Sequence, residues 1–541
     1  MKLLLLQPPI QDFYDTDIRL QPLGLCYLKS AIKKFLPDIQ VVVKDYHKGW
    51  SRHTISIPPE LSYLKDFYKY PDQSPFSAFY NYYHFGARFE TIAEDVAREK
   101  PDLVGISVNF SPYYREALRC AEEIKQGINV PILAGGSHVS AVPESIIRHP
   151  AIDFIIQGEG ERPIVEFLKA YKNGKSLDHI SNLGLKQDDK LIINPVKDNF
   201  SIDELPFPDL TDLEPDRYLF SGAPICFIIT SRGCPHRCTF CSVHKTFGGC
   251  YRRRDADLVL KEISLRYEEG YRVFDFEDDN LTFYQDEMKY ICAKLSGRFA
   301  GKGIRFLAMN GISYMNLDEK LLEYMKKAGF SHLNISLVSS NQSVLDNTKR
   351  PHSMDKYIEV VHNASRLGFQ IVSYQILGLP HEKLESMINT LTLMAELPVL
   401  IGASIFYLTP NSLIAEKFPH MSDEDIFKSR LTAMAIETDH FKREDIYTLF
   451  ITARIINFLK GIRFEEKDIP LSRALKIARD YGGRSAIGSE LLSKLIKTGI
   501  LYASTKDGLK PLSGFQSSLF FQAWSRFESV KTLSCKRIKL S

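Results

Sequence analysis

The run Ser231-Arg-Gly-Cys-Pro-His-Arg-Cys-Thr-Phe-Cys-Ser242 places three cysteines on one short loop. Cys234, Cys238 and Cys241 follow the spacing C-x3-C-x2-C. Three thiolates at this spacing can bind three irons of a four-iron, four-sulfur cluster, because thiolate is the ligand that such clusters require. The fourth iron then has no protein ligand and can bind another molecule, as open metal sites do in general. We therefore predict a 4Fe-4S cluster held by these three cysteines.

Two other interpretations of the triplet are weaker. A structural zinc site usually takes four ligands from paired C-x2-C sets, and no second pair follows in the sequence. A chance group of buried thiols would have to place three of the nine cysteines of the chain on this one loop. The cluster explains the spacing better than either.

At these residues the chain resembles the radical S-adenosylmethionine (radical SAM) family. Ser231-Arg-Gly-Cys-Pro235 matches the way that family leads into its cluster loop. In the family, the open iron binds the amino and carboxylate groups of S-adenosylmethionine, and one electron cleaves the sulfonium to give a 5′-deoxyadenosyl radical. The resemblance implies that Phe240, the aromatic residue before the third cysteine, lies near the adenine.

Size and composition set broad limits on the fold and its partners. A chain of 541 residues has room for two to four domains, and an apolar fraction of 44% is typical of a globular protein. The net charge of +3 does not indicate a nucleic-acid partner. No stretch approaches the ~18 continuous apolar residues of a membrane span. The odd number of scattered cysteines favours a reducing cytoplasm over a disulfide framework.

The N-terminal third alternates short apolar runs with helical spacing, which favours an α/β fold with a flavodoxin- or Rossmann-like, doubly wound parallel sheet. Helices are expected at Leu23 to Phe35 and Tyr114 to Lys125. The expected strands are Lys2 to Leu6, Ile39 to Val43, Asp102 to Ser107, Val130 to Ala134 and Phe154 to Gln157.

Glycine-rich turns follow several of these strands, at the strand ends where such sheets bind ligands. Residues 1–170 resemble the cobalamin-binding domain that precedes the cluster loop in one large subclass of the radical SAM family. The resemblance implies that the turns contact cobalamin, although a retained fold with an empty site is the alternative. The implied contacts are Ser107, Gly135, Gly136, Ser137, Gly158, Glu159 and Gly160.

One feature departs from the cobalamin-binding pattern. Many such domains carry D-x-H-x-x-G after the first strand, and its histidine ligates cobalt. Here the loop Gln7–Leu20 contains no histidine, and Asp45-Tyr-His47 follows the second strand instead. If cobalamin binds, we expect no histidine below the cobalt. An aromatic-rich insertion at 50–90 could cover the cofactor or contact the barrel, but packing in a small satellite core is the simpler expectation.

From Cys226 onward the alternation of strands and helices resumes, and six units predict a partial (β/α)6 barrel similar to a TIM barrel. We expect three parts: a cobalamin-binding-like domain at 1–200, the radical SAM barrel at 201–415 and a helical C-terminal domain at 416–541. The expected barrel strands are Cys226 to Thr230, Val273 to Phe276, Arg305 to Met309, Leu333 to Leu337, Ile371 to Leu377 and Ser404 to Leu408.

Functional residues of such barrels lie at the carboxyl ends of the strands. The resemblance implies that the acidic turn after the second strand holds the amino group of S-adenosylmethionine, and that the G-L-P-x-E turn after the fifth strand borders the adenine. At the fourth strand Val338 replaces a common glutamate, so neighbouring serines would have to contact the cofactor. The implied cofactor residues are Asp278, Asp279, Asn280, Ser336, Ser339, Gly378 and Glu382.

Together these features predict a cytoplasmic, cobalamin-dependent radical SAM enzyme. The resemblance implies that it methylates an unactivated carbon or phosphorus of a small molecule, which is the commonest outcome in that subclass. Its cofactors would be the 4Fe-4S cluster, S-adenosylmethionine and cobalamin, and its partner an external one-electron reductant of the flavodoxin or ferredoxin type. A radical cyclase or oxidoreductase that uses cobalamin differently is the first alternative. A non-catalytic, electron-transfer iron–sulfur protein is the second.

Overall fold

Seven strands form the N-terminal sheet in the computed structural model, which describes residues 1–16, 21–187, 190–197, 200–418, 421–465, 468–529 and 538–540. The strands are β1 Lys2–Gln7, β2 Gln40–Asp45, β3 Leu103–Ser107, β4 Ile132–Gly135, β5 Phe154–Ile156, β6 Leu183–Gln187 and β7 Lys190–Ile193. Their order across the sheet is β7-β6-β5-β4-β3-β1-β2; β1 to β5 are parallel, and β6 and β7 are antiparallel.

The central strands are apolar throughout because helices cover both faces of the sheet. Leu3 to Leu6 in β1 are at most 1% exposed. Leu23–Phe35 packs beside Glu161–Lys172, and Phe89–Glu99 packs beside Tyr114–Gly127. The expected doubly wound α/β sheet is therefore confirmed, and the antiparallel hairpin at its edge is an addition that the sequence pattern did not predict.

The strand order reverses at β1, which lies between β2 on one side and β3 on the other. In open α/β sheets, ligands bind outside the carboxyl ends of the strands at such a switch point. The turns after β3, β4 and β5 open at that same end, so the fold itself brings the predicted glycine turns together.

The aromatic-rich insertion joins the N-terminal part to the C-terminal segment. Its strands Arg52–Ile55 and Tyr82–Phe85 form a small antiparallel sheet with Ile10–Asp12. Phe67 packs against Tyr447 of the long C-terminal helix and Phe76 packs edge-on against Phe458, with ring centroids 5.4 Å apart in both pairs. The expected satellite core is therefore wrong for most of the insertion, because Phe67, Phe76 and Phe79 are continuous with the main hydrophobic core through that helix.

Six parallel strands form the partial barrel: β8 Ala223–Ile228, β9 Val273–Phe276, β10 Arg305–Leu307, β11 His332–Val338, β12 Gln370–Leu377 and β13 Leu400–Ile405. They lie in two arcs, β8-β9-β10 and β11-β12-β13. Single bridges from Phe306 to Phe330 and from Ile312 to Ile335 join the arcs. The helices between the strands are Ala256–Glu268, Gln285–Phe299, Glu319–Ala328, Met354–Arg366 and Leu384–Glu396.

The sixth strand begins four residues earlier than the sequence pattern predicts, at Leu400 and not at Ser404. Residues 399–408 are almost uniformly apolar, so periodicity does not mark where the strand starts. The shift places Tyr407 beyond the carboxyl end of β13, on the side of the barrel where active sites lie.

The C-terminal segment is mostly helical and closes the open edge of the barrel. Asn457 on helix Arg443–Gly461 accepts from the N–H of Ile401 and donates to its carbonyl, both at 2.8 Å. This side chain occupies the position that a further strand would take. The remaining elements are Asp423–Phe427, Leu471–Asp480, Gly483–Thr498 and Ser517–Ser529, with a hairpin of Tyr502–Thr505 and Gly508–Pro511. No helix among the described residues is both long and apolar enough to cross a membrane.

Candidate active site

The cysteine loop follows the carboxyl end of β8. Cys238 is 7% exposed, and Cys234 and Cys241 are half-buried. The loop is fastened to the barrel through its backbone, because the N–H of Thr239 donates to the carbonyl of Thr348 at 2.9 Å. A buried, well-fastened loop can hold three thiolates in fixed positions.

Gly233 sets the approach to the first cysteine. Its φ of +81° lies in the left-handed region, and a Cβ at this position would overlap the carbonyl oxygen of Cys250. The two segments are also paired, since Ser231–Arg232 forms a short antiparallel ladder with Arg252–Arg253. Only glycine fits this crossing without displacing the neighbouring segment.

The thiols of Cys234 and Cys241 are shifted toward their neutral form by burial. Burial raises the pKa of Cys234, and it raises the pKa of Cys241 to about 11, with the other two cysteines adding to the effect at Cys241. Within the described ranges, no three or more His, Cys, Asp or Glu side chains are placed to hold one metal ion together. The donor set fits a four-iron cluster, in which each cysteine binds a different iron and the thiols need not converge.

Asp278 anchors the strand that leads into the loop. It is 3% exposed and accepts hydrogen bonds from the N–H of Thr230 at 3.1 Å, from the hydroxyl of Thr230 at 2.7 Å and from the hydroxyl of Ser231. Its carboxylate is therefore occupied by the chain itself. The structure places this predicted cofactor residue behind the loop, where it holds β8 and β9 in register.

Asp279 and Asn280 face the cysteines. Asp279 accepts from the N–H of Gly233 at 3.0 Å, and Asn280 donates its side-chain N–H to the sulfur of Cys234 at 3.7 Å. Burial raises the pKa of Asp279 to about 6, and the neighbouring Asp278 adds to this shift. The Oδ1 of Asn280 is buried and has no partner within the described part of the chain. Both side chains can present polar atoms beside the loop.

Two predicted residues on the other arc bind each other and not the lumen. Ser339 donates to Glu382 at 2.8 Å, and Ser386 donates to the same carboxylate oxygen at 2.9 Å. Both Ser339 and Glu382 are fully buried, and burial raises the pKa of Glu382 to about 7. This pair ties the end of β11 to the turn after β12. Gly378 in that turn, with φ +86°, lies against Ile446 of the C-terminal helix.

Ser336 takes a different position from Ser339. It pairs with Tyr374 across β11 and β12, and both residues are half-buried, whereas the alternate residues of β12 are covered by the outer helices. Because paired residues of parallel strands point to the same face, Ser336 and Tyr374 face the lumen of the barrel. Ser336 is thus the member of the predicted set from β11 that is open to a ligand.

Phe240 and Val338 meet in a small apolar cluster next to the cysteine loop. Val338 is fully buried there, with Leu345 and Leu379, and Phe240 packs against the cluster while remaining half-buried. Val338 follows a bulge in β11 and has φ +74°, a conformation that costs a β-branched residue about 1–3 kcal/mol. Its side chain therefore points into the cluster, so this position does not offer a polar contact to the lumen.

A cleft of about 470 Å³ separates the N-terminal sheet from the barrel. All seven residues that the sequence predicts as cobalamin contacts line it: Ser107, Gly135, Gly136, Ser137, Gly158, Glu159 and Gly160. From the barrel side, Arg232 of the cysteine loop and Glu277 and Asp279 of the acidic turn line the same cleft. One space therefore touches both groups of predicted residues.

The floor of the cleft carries few side chains, since six of its lining residues are glycines. At Gly136 the φ of +129° excludes other residues, and a Cβ would lie 2.6 Å from the carbonyl of Val108. The turn therefore exposes backbone N–H and carbonyl groups to a ligand, and a large flat ring could approach it closely. The residues present fit a corrin in shape and polarity.

Glu159 has a role that the sequence did not indicate. Its two carboxylate oxygens accept from Arg232 at 2.6 Å and from Arg252, and Glu161 accepts from Arg232 at 2.6 Å. Burial alone would lower the pKa of Arg232, but the two carboxylates outweigh it and raise the pKa. The Arg232 guanidinium also lies 5.2 Å from the ring of Tyr27. This network, which we call the latch, joins the cleft turn to the cysteine loop.

We expect Arg232→Gln to lower stability sharply, because it leaves two buried carboxylates without their shared cation. Removing one partner of a buried ion pair costs about 3–5 kcal/mol. Neutralising the carboxylates as well, with Glu159→Gln and Glu161→Gln, should restore part of the loss. Thermal unfolding of the single and triple variants measures both effects. Arg253→Gln is the control, because Arg253 lies on the same short ladder but is exposed. A triple variant less stable than Arg232→Gln would contradict the role of the latch.

No histidine lines the cleft among the described residues. His47 is 2% exposed and lies 3.4 Å from the carbonyl of Phe85 through its Nδ1. The expectation that the loop after β1 offers no imidazole concerns residues 7–20, of which 17–20 lie outside the described residues. That expectation therefore stays a prediction.

Comparison with known proteins follows the same two parts of the chain. A sequence profile of the radical SAM superfamily matches residues 228–394, and a profile of the B12 binding domain matches residues 78–168. The chain is 30% identical over 316 residues to an uncharacterized methyltransferase of Pyrococcus horikoshii, in an alignment that covers 58% of this chain and 68% of the relative.

Two further similarities extend over more of the chain. A cytidylyl-2-hydroxyethylphosphonate methyltransferase of Streptomyces wedmorensis is 24% identical, over 70% of this chain and 73% of that protein. The solved structure of OxsB, described as a cobalamin-dependent S-adenosylmethionine radical enzyme, superposes with a TM-score of 0.62 at 16% identity and covers 98% of this chain and 75% of that one. The chain belongs to the radical SAM superfamily, in the group whose members carry a B12-binding domain ahead of the radical SAM domain.

Proposed function

We propose that this enzyme transfers a methyl group to an unactivated carbon or phosphorus of a small molecule. One observation carries the proposal: the cleft of about 470 Å³ is lined both by the glycine turns of the N-terminal sheet and by the loops beside the three cysteines. Two reactive groups held on opposite walls of one cleft can act in sequence on one substrate.

The residues that would hold the cofactors follow from the contacts above. Cys234, Cys238 and Cys241 would ligate the 4Fe-4S cluster, and the glycine turns would hold cobalamin. When bound, the cluster, S-adenosylmethionine and cobalamin supply the electron, the radical and the methyl group, while the protein supplies position and shielding. No catalytic side chain needs to be assumed beyond those that bind and orient.

Several side chains of the chain would position S-adenosylmethionine at the open iron. Asp279 and Asn280 lie beside the cysteines, and acidic and amide oxygens suit a cationic amino group. Phe240 offers an aromatic face from the other side of the loop. Asp278, Ser339 and Glu382 would act indirectly, since their polar atoms hold the strand ends in place.

The substrate would enter the lumen of the barrel. Tyr407 is 40% exposed, yet burial raises the pKa of its hydroxyl and the thiol of Cys241 adds to the shift. Tyr407 also follows the carboxyl end of β13, the end of a barrel at which active sites lie. Tyr407 and Ser336 would therefore contact a substrate close to the cysteines and exclude water from it.

The remaining partners follow from the chemistry of the cluster. A one-electron reductant of the flavodoxin or ferredoxin type would have to reduce it, and the small-molecule substrate needs no nucleic-acid surface. We place the reaction in the cytoplasm, where thiols stay reduced.

S-adenosylmethionine labelled in its methyl group tests the proposal. The protein is reconstituted anaerobically with iron, sulfide and cobalamin, given a chemical reductant, and incubated with a small-molecule extract. We expect 5′-deoxyadenosine together with a product that carries the label. Formation of 5′-deoxyadenosine with an unlabelled product would favour a radical cyclase or oxidoreductase. If no 5′-deoxyadenosine forms, the protein is an electron-transfer iron–sulfur protein instead.

A further inference from the structure

A second cavity, of about 440 Å³, lies beside the barrel at the free edge of its last strand. Ile401 and Ala403 of β13 form one wall, and the long helix Arg443–Gly461 forms the other. Ile401 pairs in register with Ser373, whose hydroxyl bonds Tyr357 on an outer helix at 2.8 Å. The cavity is therefore outside the lumen, and it shares no lining residue with the cleft.

The lining is apolar except for two side chains of the helix, Arg454 and Asn457. Phe450 and Phe458 supply aromatic surface on either side of them. The side-chain amide of Asn457 is already hydrogen-bonded to the backbone of Ile401 through both its oxygen and its nitrogen. Arg454 is thus the polar group that remains to face the cavity.

Arg454 has no hydrogen bond or ion pair within the part of the chain that the structure describes. Its guanidinium lies 4.8 Å from the centre of the Phe450 ring, and this is its one direct contact with a ring. Among the residues that the structure describes, the four buried arginines all pair with a carboxylate: Arg232, Arg254, Arg266 and Arg430. The guanidinium of Arg454 therefore offers five N–H donors to a ligand in the apolar cavity.

The charges around Arg454 do not neutralise it. Burial lowers its pKa and the nearby cation of Arg484 lowers it further, while Asp15, Tyr68 and Tyr447 act in the opposite direction with smaller effects. Arg484 donates to the carbonyl of Ser74 at 2.8 Å, and the residue after Ser74, Pro75, lines the cavity. Arg454 is therefore the cation on the wall of a largely apolar cavity, and Arg484 is a second cation nearby. Such a charge, half removed from water, is stabilised most by an anion that enters the cavity.

We propose that this cavity binds an amphiphilic anion: a carboxylate or phosphate group on Arg454 and an aliphatic or aromatic body against Phe450 and Phe458. The ligand needs both parts, because the guanidinium supplies paired donors to two oxygens and the walls offer apolar surface. The site is distinct from the cleft and the cysteines and does not depend on any cofactor.

Three probes separate the two requirements in the full-length protein without added cofactors. Octanoate carries both the charge and the apolar chain, octanol carries the chain alone, and inorganic phosphate carries the charge alone. By isothermal titration calorimetry we expect octanoate to bind about ten-fold or more tightly than either of the others. Equal binding of octanol would overturn the role of Arg454, and equal binding of phosphate would overturn the apolar body.

Variants of Arg454 distinguish a ligand-binding residue from a structural one. Arg454→Met should abolish the preference for octanoate, whereas Arg454→Lys should keep part of it. Without ligand, Arg454→Met should unfold at a higher temperature than the wild type, because it removes an unpaired, partly buried charge. If Arg454 had a structural role, Arg454→Met would lower the unfolding temperature, and that result would refute the proposal. Arg479→Met, at an exposed position on helix Leu471–Asp480, is the matched control and should change neither measurement.

Discussion

Alanine at any one of Cys234, Cys238 or Cys241 should remove the cluster and stop the cleavage of S-adenosylmethionine completely. The three thiols are the cysteine donors on this loop, and a cluster that loses one of three ligands can no longer be held by the loop alone. After anaerobic reconstitution, we expect the wild type to hold about four irons per chain. Iron analysis, the visible absorbance of the cluster and 5′-deoxyadenosine formation measure the loss in each variant.

Cys250→Ala provides the matched control for this prediction. Cys250 is the next cysteine along the chain, and its side chain is exposed, so its removal should leave iron content and 5′-deoxyadenosine unchanged. What it contributes to the loop is its backbone carbonyl beside Gly233, which alanine keeps. A triplet variant that still holds about four irons, or a Cys250→Ala protein that loses them, would show that other side chains ligate the cluster.

The sequence was sufficient where the signal is local. The spacing of the cysteines lies within one loop, and the apolar runs that became β1, β3, β5 and β9 are short, buried and bounded by turn residues. Alternation of such runs with helical spacing determines an α/β class and its parallel sheets. Because parallel strands present their carboxyl ends at one edge, the glycine turns could also be expected to meet, and they do.

The sequence could not distinguish neighbouring residues whose side chains lie on different sides of the loop or strand. Asp278 and Asp279 are adjacent acids in one turn. Asp278 accepts a hydrogen bond from Thr230 behind the loop, whereas Asp279 lines the cleft. The difference depends on the register of β9 against β8, which no pattern in the turn reveals. Ser336 and Ser339 differ for the same reason, with a bulge between them that shifts the pairing of β11.

Contacts between distant segments were beyond the reach of the sequence as well. The latch joins Arg232 to Glu159 and Glu161, which precede it by more than seventy residues. In the sequence Glu159 is one member of a glycine-rich turn and Arg232 one member of the cysteine motif. Their carboxylates and guanidinium meet only because the barrel docks on the carboxyl edge of the N-terminal sheet. The site of Arg454 likewise depends on the long helix closing the edge of the barrel.

Gly24→Trp should abolish the retention of cobalamin while leaving the fold intact. Gly24 lines the cleft as the second residue of helix Leu23–Phe35, and a Cβ there would meet no other atom within 4 Å. The indole would therefore enter open space and not the protein core. Because the large, rigid indole would project from the wall of the cleft of about 470 Å³, it would occupy space that a corrin needs to lie on the glycine turns.

Gel filtration of protein mixed with hydroxocobalamin, followed by the absorbance of the cobalamin that elutes with it, measures retention independently of activity. Gly297→Trp is the matched control, since Gly297 is also an exposed helical glycine with no atom within 4 Å of its Cβ position, but it lies away from the cleft. Both variants should unfold at the temperature of the wild type, and only Gly24→Trp should lose the cofactor.

This substitution tests the cleft more cleanly than a change in the turns themselves. Gly136→Val would also abolish retention, but at φ +129° and 2.6 Å from the carbonyl of Val108 its side chain would distort the turn before any ligand arrived. Loss of binding by that variant could therefore reflect a damaged fold. Gly24→Trp leaves every backbone contact in place and changes only the volume that a ligand can occupy. If Gly24→Trp retained cobalamin as well as Gly297→Trp does, cobalamin would have to bind elsewhere, and the cleft would not join the two halves of the reaction.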